Sequence, residues 1–221
     1  KLEEAIEAYK KAVAIKPDYA EAYLNMGNAL QEQGELKEAI EAFNKALSLK
    51  PDLAEAQNNM GNALQKQGKL EEAIEAYNKA LATKPDYAEA YNNLGVSLKD
   101  QGKLEEAIEA YKQAVSLKPD YREAYGNLGE ALKGFTFSKP NPAMQTIITF
   151  ILNNKTYVRP KDICHASLSL LKFETSVSEL FEKYSDFVAS VSFQELLIAL
   201  CELPLFLKLM SVCPIADLEF E

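Results

Sequence analysis

The residue pair with the greatest chemical potential in this 221-residue sequence is Cys164 followed by His165, the only histidine. A thiol beside an imidazole is the arrangement of nucleophilic catalysis, in which the histidine takes the thiol proton. Adjacent residues do not share a helix face, however, and no third group is placed to complete a catalytic set. Cys201 and Cys213 form no CxxC pattern, so neither disulfides nor structural zinc are expected. We expect reduced cysteines, no catalytic residues, no metal and no cofactor.

A second chemistry is offered by asparagines that recur every 34 residues. One set takes the same place in four successive segments: Asn25, Asn59, Asn93 and Asn127. Asn28 and Asn62 follow one helical turn later in the first two segments. A carboxamide carries donors and an acceptor, so a column of them can hydrogen-bond the backbone of a peptide whatever its side chains. The alternative is plain repeat sequence copied by duplication, and the sequence leaves both interpretations open.

The column belongs to a strict internal repeat. Two glycines and a Lys-Pro pair mark the period. The first glycine recurs at Gly27, Gly61, Gly95 and Gly129, and the second at Gly34, Gly68 and Gly102. The Lys-Pro pair recurs at 16–17, 50–51, 84–85 and 118–119. A 34-residue period with helical apolar spacing is typical of stacked helical hairpins. The first glycine falls inside a helix and predicts close contact with the partner helix. The second predicts a left-handed helix end. The proline ends the second helix, and the Pro-Asp pair suits the start of the next.

The repeat unit resembles the tetratricopeptide repeat, whose pattern is W/Y-x-x-L-G-x-x-L…A-x-x-x-F/Y-x-x-A…P. The first full unit matches it with Tyr23, Met26, Gly27, Leu30, Ala39, Phe43, Ala46 and Pro51. Gln57 stands at the aromatic position of the second full unit, where we expect a modest loss of packing. The resemblance covers residues 1–133, with full units 20–53, 54–87 and 88–121 between partial units 1–19 and 122–133.

This resemblance implies an all-α fold, a right-handed superhelix of α-α hairpins followed by an irregular helical region. The first helices would line a concave groove that binds an extended or helical segment of a partner protein. The asparagine column also resembles the ladder in the superhelix of O-linked N-acetylglucosamine transferases. The alternative function is therefore the substrate-recruiting arm of a larger transferase, of that glycosyltransferase type or a methyltransferase. With first helices about 10 Å apart, one asparagine would hold roughly every third peptide bond.

A different binding mode of the same family, the carboxylate clamp for acidic chaperone C-termini, is not favoured. The matching positions contain Leu24, Asn58 and Asn92, and either Glu89 or Glu123 stands where the clamp has lysine. The asparagines of such a clamp are present, but its cations are missing. We therefore expect the groove to disfavour acidic C-terminal peptides.

Charge and hydropathy set the expected partners and location. The net charge of −9 argues against nucleic acid and anionic membranes as partners. Neither a leader peptide nor a membrane span is recognisable, so we expect a cytoplasmic protein. The first residues lie inside a repeat, which indicates a fragment of a longer protein. The open repeat end at Lys1 makes self-association a third functional alternative.

The last third of the chain loses the repeat but keeps helical signals. Residues 134–141 replace the expected second helix and predict a linker. Residues 142–221 predict a helical region that leads into a further domain. Asn141-Pro142 predicts a capped helix start, followed by an apolar stripe of Met144, Ile147, Ile148, Ile151 and Leu152. A second helix is expected from Arg159-Pro160 to about Phe173, with further helices behind it.

Overall fold

A computed structural model describes residues 1–139, 141–154 and 163–171. Within these ranges the chain forms ten α-helices and no strand. The chain divides into two compact units, Lys1–Pro119 and Asp120–Glu221. The predicted all-α fold of helical hairpins is confirmed for the described residues.

The first unit contains seven helices that follow the repeat. They are α1 (Leu2–Ile15), α2 (Ala20–Gln33), α3 (Leu36–Leu49), α4 (Ala54–Lys66), α5 (Leu70–Thr83), α6 (Ala88–Asp100) and α7 (Leu104–Leu117). Each full repeat forms one hairpin, in which α2 packs on α3, α4 on α5, and α6 on α7. The second helix of one hairpin also packs on the first helix of the next. Apolar residues from successive repeats therefore share one continuous core.

The mid-helix glycine makes a close contact with the partner helix, as the sequence predicts, and the contacting group is an aromatic ring. A Cβ atom added to this glycine would lie 2.6 Å from a ring carbon of the second helix. The same pair recurs in each hairpin, as Gly27–Phe43, Gly61–Tyr77 and Gly95–Tyr111. Fully buried alanines line the same contacts: Ala39, Ala46, Ala73, Ala80, Ala107 and Ala114. Small residues thus let the two helices of a hairpin approach closely.

The helix ends follow from glycine and proline. Gly34 has φ of +91° and ends α2 in the left-handed region, and the equivalent glycines do likewise at +76° and +78°. Helix α3 ends at Leu49, two residues before Pro51. The expected role of Pro-Asp as a helix start is wrong, because α4 begins only at Ala54. Its N-cap residue is Leu53, which makes no side-chain capping bond.

Gln57 is hydrogen-bonded in the position that other repeats fill with an aromatic residue. The side chain is buried, and its Nε2 donates to the Pro51 carbonyl at 3.0 Å. Its Oε1 accepts from the Thr83 hydroxyl at 3.3 Å. Thr83 itself occupies the place of the aliphatic residues Ile15, Leu49 and Leu117. A linked polar pair therefore replaces an apolar pair here, and both of its members have partners.

The described part of the second unit contains α8 (Arg122–Leu132), α9 (Pro142–Asn154) and α10 (Cys164–Leu171). The predicted cap of α9 is confirmed, because Asn141 Oδ1 accepts from the Met144 N–H at 3.1 Å. The predicted stripe of α9 is buried at Met144, Ile148, Ile151 and Leu152 and half-buried at Ile147. The rings of Tyr125 and Phe150 stack with centroids 5.6 Å apart, which places α9 against α8.

Two residues of the predicted linker, residues 134–141, make contacts within the second unit. The Phe137 N–H donates to Ser169 Oγ of α10 at 2.9 Å, and Phe135 packs edge-on against Phe137. The expected start of a helix at Arg159-Pro160 lies outside the described residues. The helices predicted beyond Phe173 also lie outside them.

Candidate peptide-binding groove

Polar residues line one face of each first helix in the first unit. We refer to α2, α4 and α6 as the wall helices. Spacings of four and then three residues place their members on one face of each helix. These stripes are Glu21, Asn25 and Asn28, then Glu55, Asn59 and Asn62, then Glu89, Asn93 and Val96. All nine side chains are exposed or half-buried, so they are accessible to a partner.

Four asparagines from the three wall helices form one continuous hydrogen-bonded series, which we call the carboxamide string. Asn59 Nδ2 donates to Asn28 Oδ1 at 2.8 Å, which joins α4 to α2. Asn58 Nδ2 donates to Asn59 Oδ1 at 3.0 Å within α4. Asn93 Nδ2 donates to Asn58 Oδ1 at 3.1 Å, which joins α6 to α4. Two members of the column, Asn59 and Asn93, are therefore tied to asparagines outside it, Asn28 and Asn58.

The string leaves hydrogen-bonding capacity unused. A carboxamide has two N–H donors and two acceptor positions. Asn59 uses one donor and one acceptor position, while Asn93 uses one donor only in the described structure. Asn58 is 4% exposed and lies beneath them. Each amide is therefore held in one orientation, yet Asn59 and Asn93 can still donate to and accept from a ligand.

Asn62 does not join the string, although it occupies the same position as Asn28. Its Oδ1 accepts from the Tyr77 hydroxyl at 2.8 Å, which ties α4 to α5. The equivalent of Tyr77 in the preceding hairpin is Phe43, which has no hydroxyl. Asn28 is therefore left to accept from Asn59. One oxygen atom on the second helix thus decides whether this asparagine faces along the wall or into its own hairpin.

The predicted site residues are thus brought together only in part. Asn28, Asn59 and Asn93 belong to one hydrogen-bonded string, and Asn62 belongs to a separate contact. Asn25 is exposed and makes no side-chain hydrogen bond within the described ranges. Asn127 lies half-buried on α8, in the second compact unit, so its place in the column stays a prediction.

Sequence reasoning assigned no positioning role to Asn58, which is the centre of the string. A signal was present, because Asn58 and Asn92 are polar at a position that the first full repeat fills with Leu24. All three of these residues are buried. A buried asparagine in place of leucine requires hydrogen-bond partners. The sequence could not show that those partners would be Asn59 and Asn93.

The row of carboxylates at the start of the wall helices is mostly paired within the protein. Lys50 Nζ lies 3.5 Å from Glu21 Oε1, and Lys118 Nζ lies 2.9 Å from Glu89 Oε1. The hydrogen bond from Lys118 holds the pKa of Glu89 below its usual value. Glu55 makes no ion pair among the described residues. The position where a carboxylate clamp has lysine is therefore occupied by Glu89, and the cation beside it, Lys118, is already paired with that carboxylate.

Lys84, which follows α5, takes another contact. Its Nζ lies 4.6 Å from the centroid of the Tyr87 ring, a distance at which a cation is attracted to the ring face. Burial raises the pKa of the Tyr87 phenol, and the charges of Glu55 and Glu89 raise it further. This end of the wall helices therefore combines carboxylates, lysines and a neutral phenol.

Metal clusters and membrane-spanning helices are both absent from the described part of the chain. No group of three histidine, cysteine or acidic side chains there could hold a metal ion. None of the helices searched is both long and apolar enough to cross a membrane. Cys164 and His165 begin α10, while Cys201 and Cys213 lie outside the described residues.

Comparison with known proteins identifies the repeat. A family profile described as Tetratricopeptide repeat matches residues 52–120, and one described as TPR repeat matches residues 1–34 and 27–68. Together these matches span more than half of the chain. None of the curated protein sequences matches the chain significantly.

Solved structures agree with this assignment. A crystal structure of MamA is 34% identical, covers 60% of this chain and 78% of its own, and gives a TM-score of 0.57. MamA 41-end from Desulfovibrio magneticus RS-1 is 30% identical, with coverages of 59% and 73% and a TM-score of 0.55. The first TPR of Spaghetti (RPAP3) bound to the HSP90 peptide SRMEEVD is 28% identical, with coverages of 52% and 91% and a TM-score of 0.51.

These matches support a protein-interaction scaffold. The transferase alternative and the resemblance to O-linked N-acetylglucosamine transferases receive no support from them. Two independent lines, the profile matches and the hairpins with their glycine–aromatic contacts, lead to one assignment. The chain belongs to the tetratricopeptide repeat family.

Proposed function

We propose that this protein is an interaction scaffold that binds an extended segment of a partner protein along the wall helices. The observation that carries the proposal is the carboxamide string, which joins α2, α4 and α6 through Asn28, Asn59, Asn58 and Asn93. Asn25, on α2, would extend the same polar face within the first unit, and the role of Asn127 stays a prediction. The partner would be recognised chiefly through its main chain.

Pre-organisation of the asparagine side chains would strengthen this binding. A free asparagine side chain loses rotamer freedom when it binds a ligand, and that entropy loss weakens binding. Hydrogen bonds to Asn28 and Asn58 already restrict Asn59, so less freedom remains to be lost. Because a carboxamide can both donate and accept, it can bind a peptide unit presented in either direction. The string therefore favours binding to a backbone over binding to one particular side chain.

A related structure and the charges support the same class of partner. RPAP3 was solved with a bound peptide, which shows that a tetratricopeptide relative of this chain can hold one. The partner of this chain would differ in charge, because Glu21 and Glu89 already pair with the nearby lysines and Glu55 makes no ion pair among the described residues. The net charge of −9 favours a protein partner over nucleic acid or an anionic membrane. A cytoplasmic location fits a chain with three cysteines and no CxxC pattern.

A peptide capture experiment tests the proposal. The immobilised protein is exposed to a library of acetylated and amidated nine-residue peptides, beside a variant in which Asn25, Asn59, Asn93 and Asn127 are changed to Ala. We expect the native protein to capture peptides of varied sequence and the variant to lose them. Circular dichroism checks that the variant keeps its helices.

A second variant controls for the loss of asparagine as such. Asn44 and Asn78 are exposed on the second helices α3 and α5, away from the wall stripes. Their change to Ala should leave capture unaltered. Equal capture by the wall variant and the native protein, or no capture by either, would show that the column is only repeat sequence.

A further inference from the structure

The carboxamide string fixes the distance between the side-chain amides of Asn59 and Asn93, which the spacing of the helix axes alone does not. Asn59 Oδ1 and Asn93 Nδ2 are bridged by the single carboxamide of Asn58, through contacts of 3.0 Å and 3.1 Å. Adding the width of one amide group places these two atoms at most roughly 8 Å apart. The spacing expected from neighbouring helix axes is larger, about 10 Å. The side-chain amides of Asn59 and Asn93 are therefore closer together than the axes of their helices.

The shorter spacing matches a particular periodicity of an extended chain. A strand advances about 3.3 Å per residue, so every second residue recurs after about 7 Å. In an extended chain, alternate residues direct their N–H and C=O groups to the same edge. Every third residue, the spacing expected from the sequence, would lie about 10 Å away and on the opposite edge. The string therefore fits one edge of a strand.

We propose that Asn59 and Asn93 hold one edge of an extended segment at peptide units two residues apart, with Asn58 as the buried positioning residue for both. This inference rests on the proposed function and names the kind of segment that the groove takes. Asn59 and Asn93 each retain an N–H donor and an acceptor position for it. Side chains of the bound segment stand perpendicular to the edge that is read, so the site tolerates many sequences.

Asn58 acts through its neighbours and does not touch the ligand. It is 4% exposed, and its two bonds hold the oxygen of Asn59 and the nitrogen of Asn93. Without them Asn93 would lose its one side-chain hydrogen bond in the described structure, and Asn59 would keep only its bond to Asn28, so both amides would turn more easily about their last side-chain torsion. Leucine occupies the same repeat position at Leu24. Asn58→Leu therefore removes the two bonds while keeping a side chain that this fold already accommodates.

Backbone methylation of a test peptide reads the spacing directly. The probe is an acetylated and amidated nine-residue peptide of alternating alanine and threonine, and its affinity is measured by calorimetry. One derivative carries N-methyl groups at its second, fourth, sixth and eighth residues, which leaves one edge intact. The other carries the same number at its second, third, sixth and seventh residues, so neither edge keeps two successive free units.

The two periodicities give opposite results. We expect the first derivative to bind like the unmethylated peptide and the second to bind about tenfold more weakly, the effect of one lost hydrogen bond. If every third peptide unit were read, the second derivative would bind and the first would not. Asn58→Leu should lower the affinity of the first derivative about tenfold and abolish the discrimination. Asn78→Ala, on the exposed face of α5, should change neither.

Each outcome separates this inference from the proposed function. Equal binding of both derivatives, or preference for the second, would overturn the two-residue reading while the scaffold function stands. If a folded Asn58→Leu variant still preferred the first derivative as strongly as the native protein does, the positioning role of Asn58 would be overturned. Failure to bind the unmethylated probe peptide by a protein that does capture library peptides would overturn this inference alone. Failure of the native protein to capture any library peptide would overturn both proposals.

Discussion

Removal of one hydroxyl group should have opposite effects at two equivalent positions. Tyr77 and Tyr111 occupy the same place in successive repeats, both fully buried over a glycine. The Tyr77 hydroxyl donates to Asn62 Oδ1 at 2.8 Å. In the next repeat Val96 replaces that asparagine, and the Tyr111 hydroxyl has no hydrogen-bond partner among the described residues. The same phenol is therefore satisfied in one hairpin and unsatisfied in the other.

The expected magnitudes follow from the cost of a buried polar group. Tyr77→Phe removes a hydrogen bond and should lower the free energy of unfolding by about 1 kcal/mol. Tyr111→Phe removes a buried hydroxyl that is already unpaired, so it should raise the free energy of unfolding by up to about 1 kcal/mol. For a chain of this size, 1 kcal/mol corresponds to a change in Tm of about 2–4 °C. The two variants should therefore move Tm in opposite directions.

Thermal melts followed by circular dichroism, supported by urea unfolding, measure these changes. Stacked repeats can unfold in parts, so the melts should be fitted as a whole array rather than as two states. Val96→Asn supplies the missing acceptor. It should stabilise the native chain by about 1 kcal/mol, and this gain should vanish when Tyr111→Phe is also present.

Equal destabilisation by Tyr111→Phe and Tyr77→Phe would refute this interpretation of the two hydroxyl groups. That result would mean that the Tyr111 hydroxyl has a strong partner. A gain from Val96→Asn that persists without the Tyr111 hydroxyl would likewise show that the gain has another origin.

Three further predictions concern packing, pH and charge. Gly27→Ala places a Cβ atom 2.6 Å from the fully buried Phe43 ring and should lower the free energy of unfolding by about 1–2 kcal/mol. The control Gly126→Ala meets no atom within 4 Å and should not destabilise the protein. Equal changes in Tm would contradict the predicted clash with the ring. Burial raises the pKa values of Tyr77 and Tyr111 above 10.0, so the unfolded chain ionises at a lower pH than the folded chain, and the free energy of unfolding should fall as pH rises above 10.0. In a variant with both tyrosines changed to Phe, urea midpoints that no longer fall in this pH range would attribute the effect to these two groups. An unchanged fall in that variant would contradict the prediction. The peptide SRMEEVD should bind more weakly than a neutral peptide of equal length, because a carboxylate, Glu89, stands at the clamp position and already pairs with Lys118. Equal affinities in calorimetry at low salt would contradict this.

The architecture of the repeat could be read from the sequence because its causes are local. Proline and glycine restrict the chain within one or two residues, so the helix ends at Gly34 and before Pro51 follow from residue type. The close contact at Gly27 could also be predicted, since only a tight approach explains a repeated costly glycine. The start of α4 was mispredicted, because the turn at Pro51-Asp52 extends further than the pattern suggests.

The chemistry of the wall depended on contacts between repeats. The sequence by itself determined that asparagines would recur at one position of each wall helix. Only the tertiary structure decided where each amide points, because a carboxamide turns toward whichever partner lies within about 3 Å. Phe43 leaves Asn28 for Asn59, whereas Tyr77 takes Asn62. Identical residues at identical positions thus acquired different roles, since their partners come from other helices brought near only by folding.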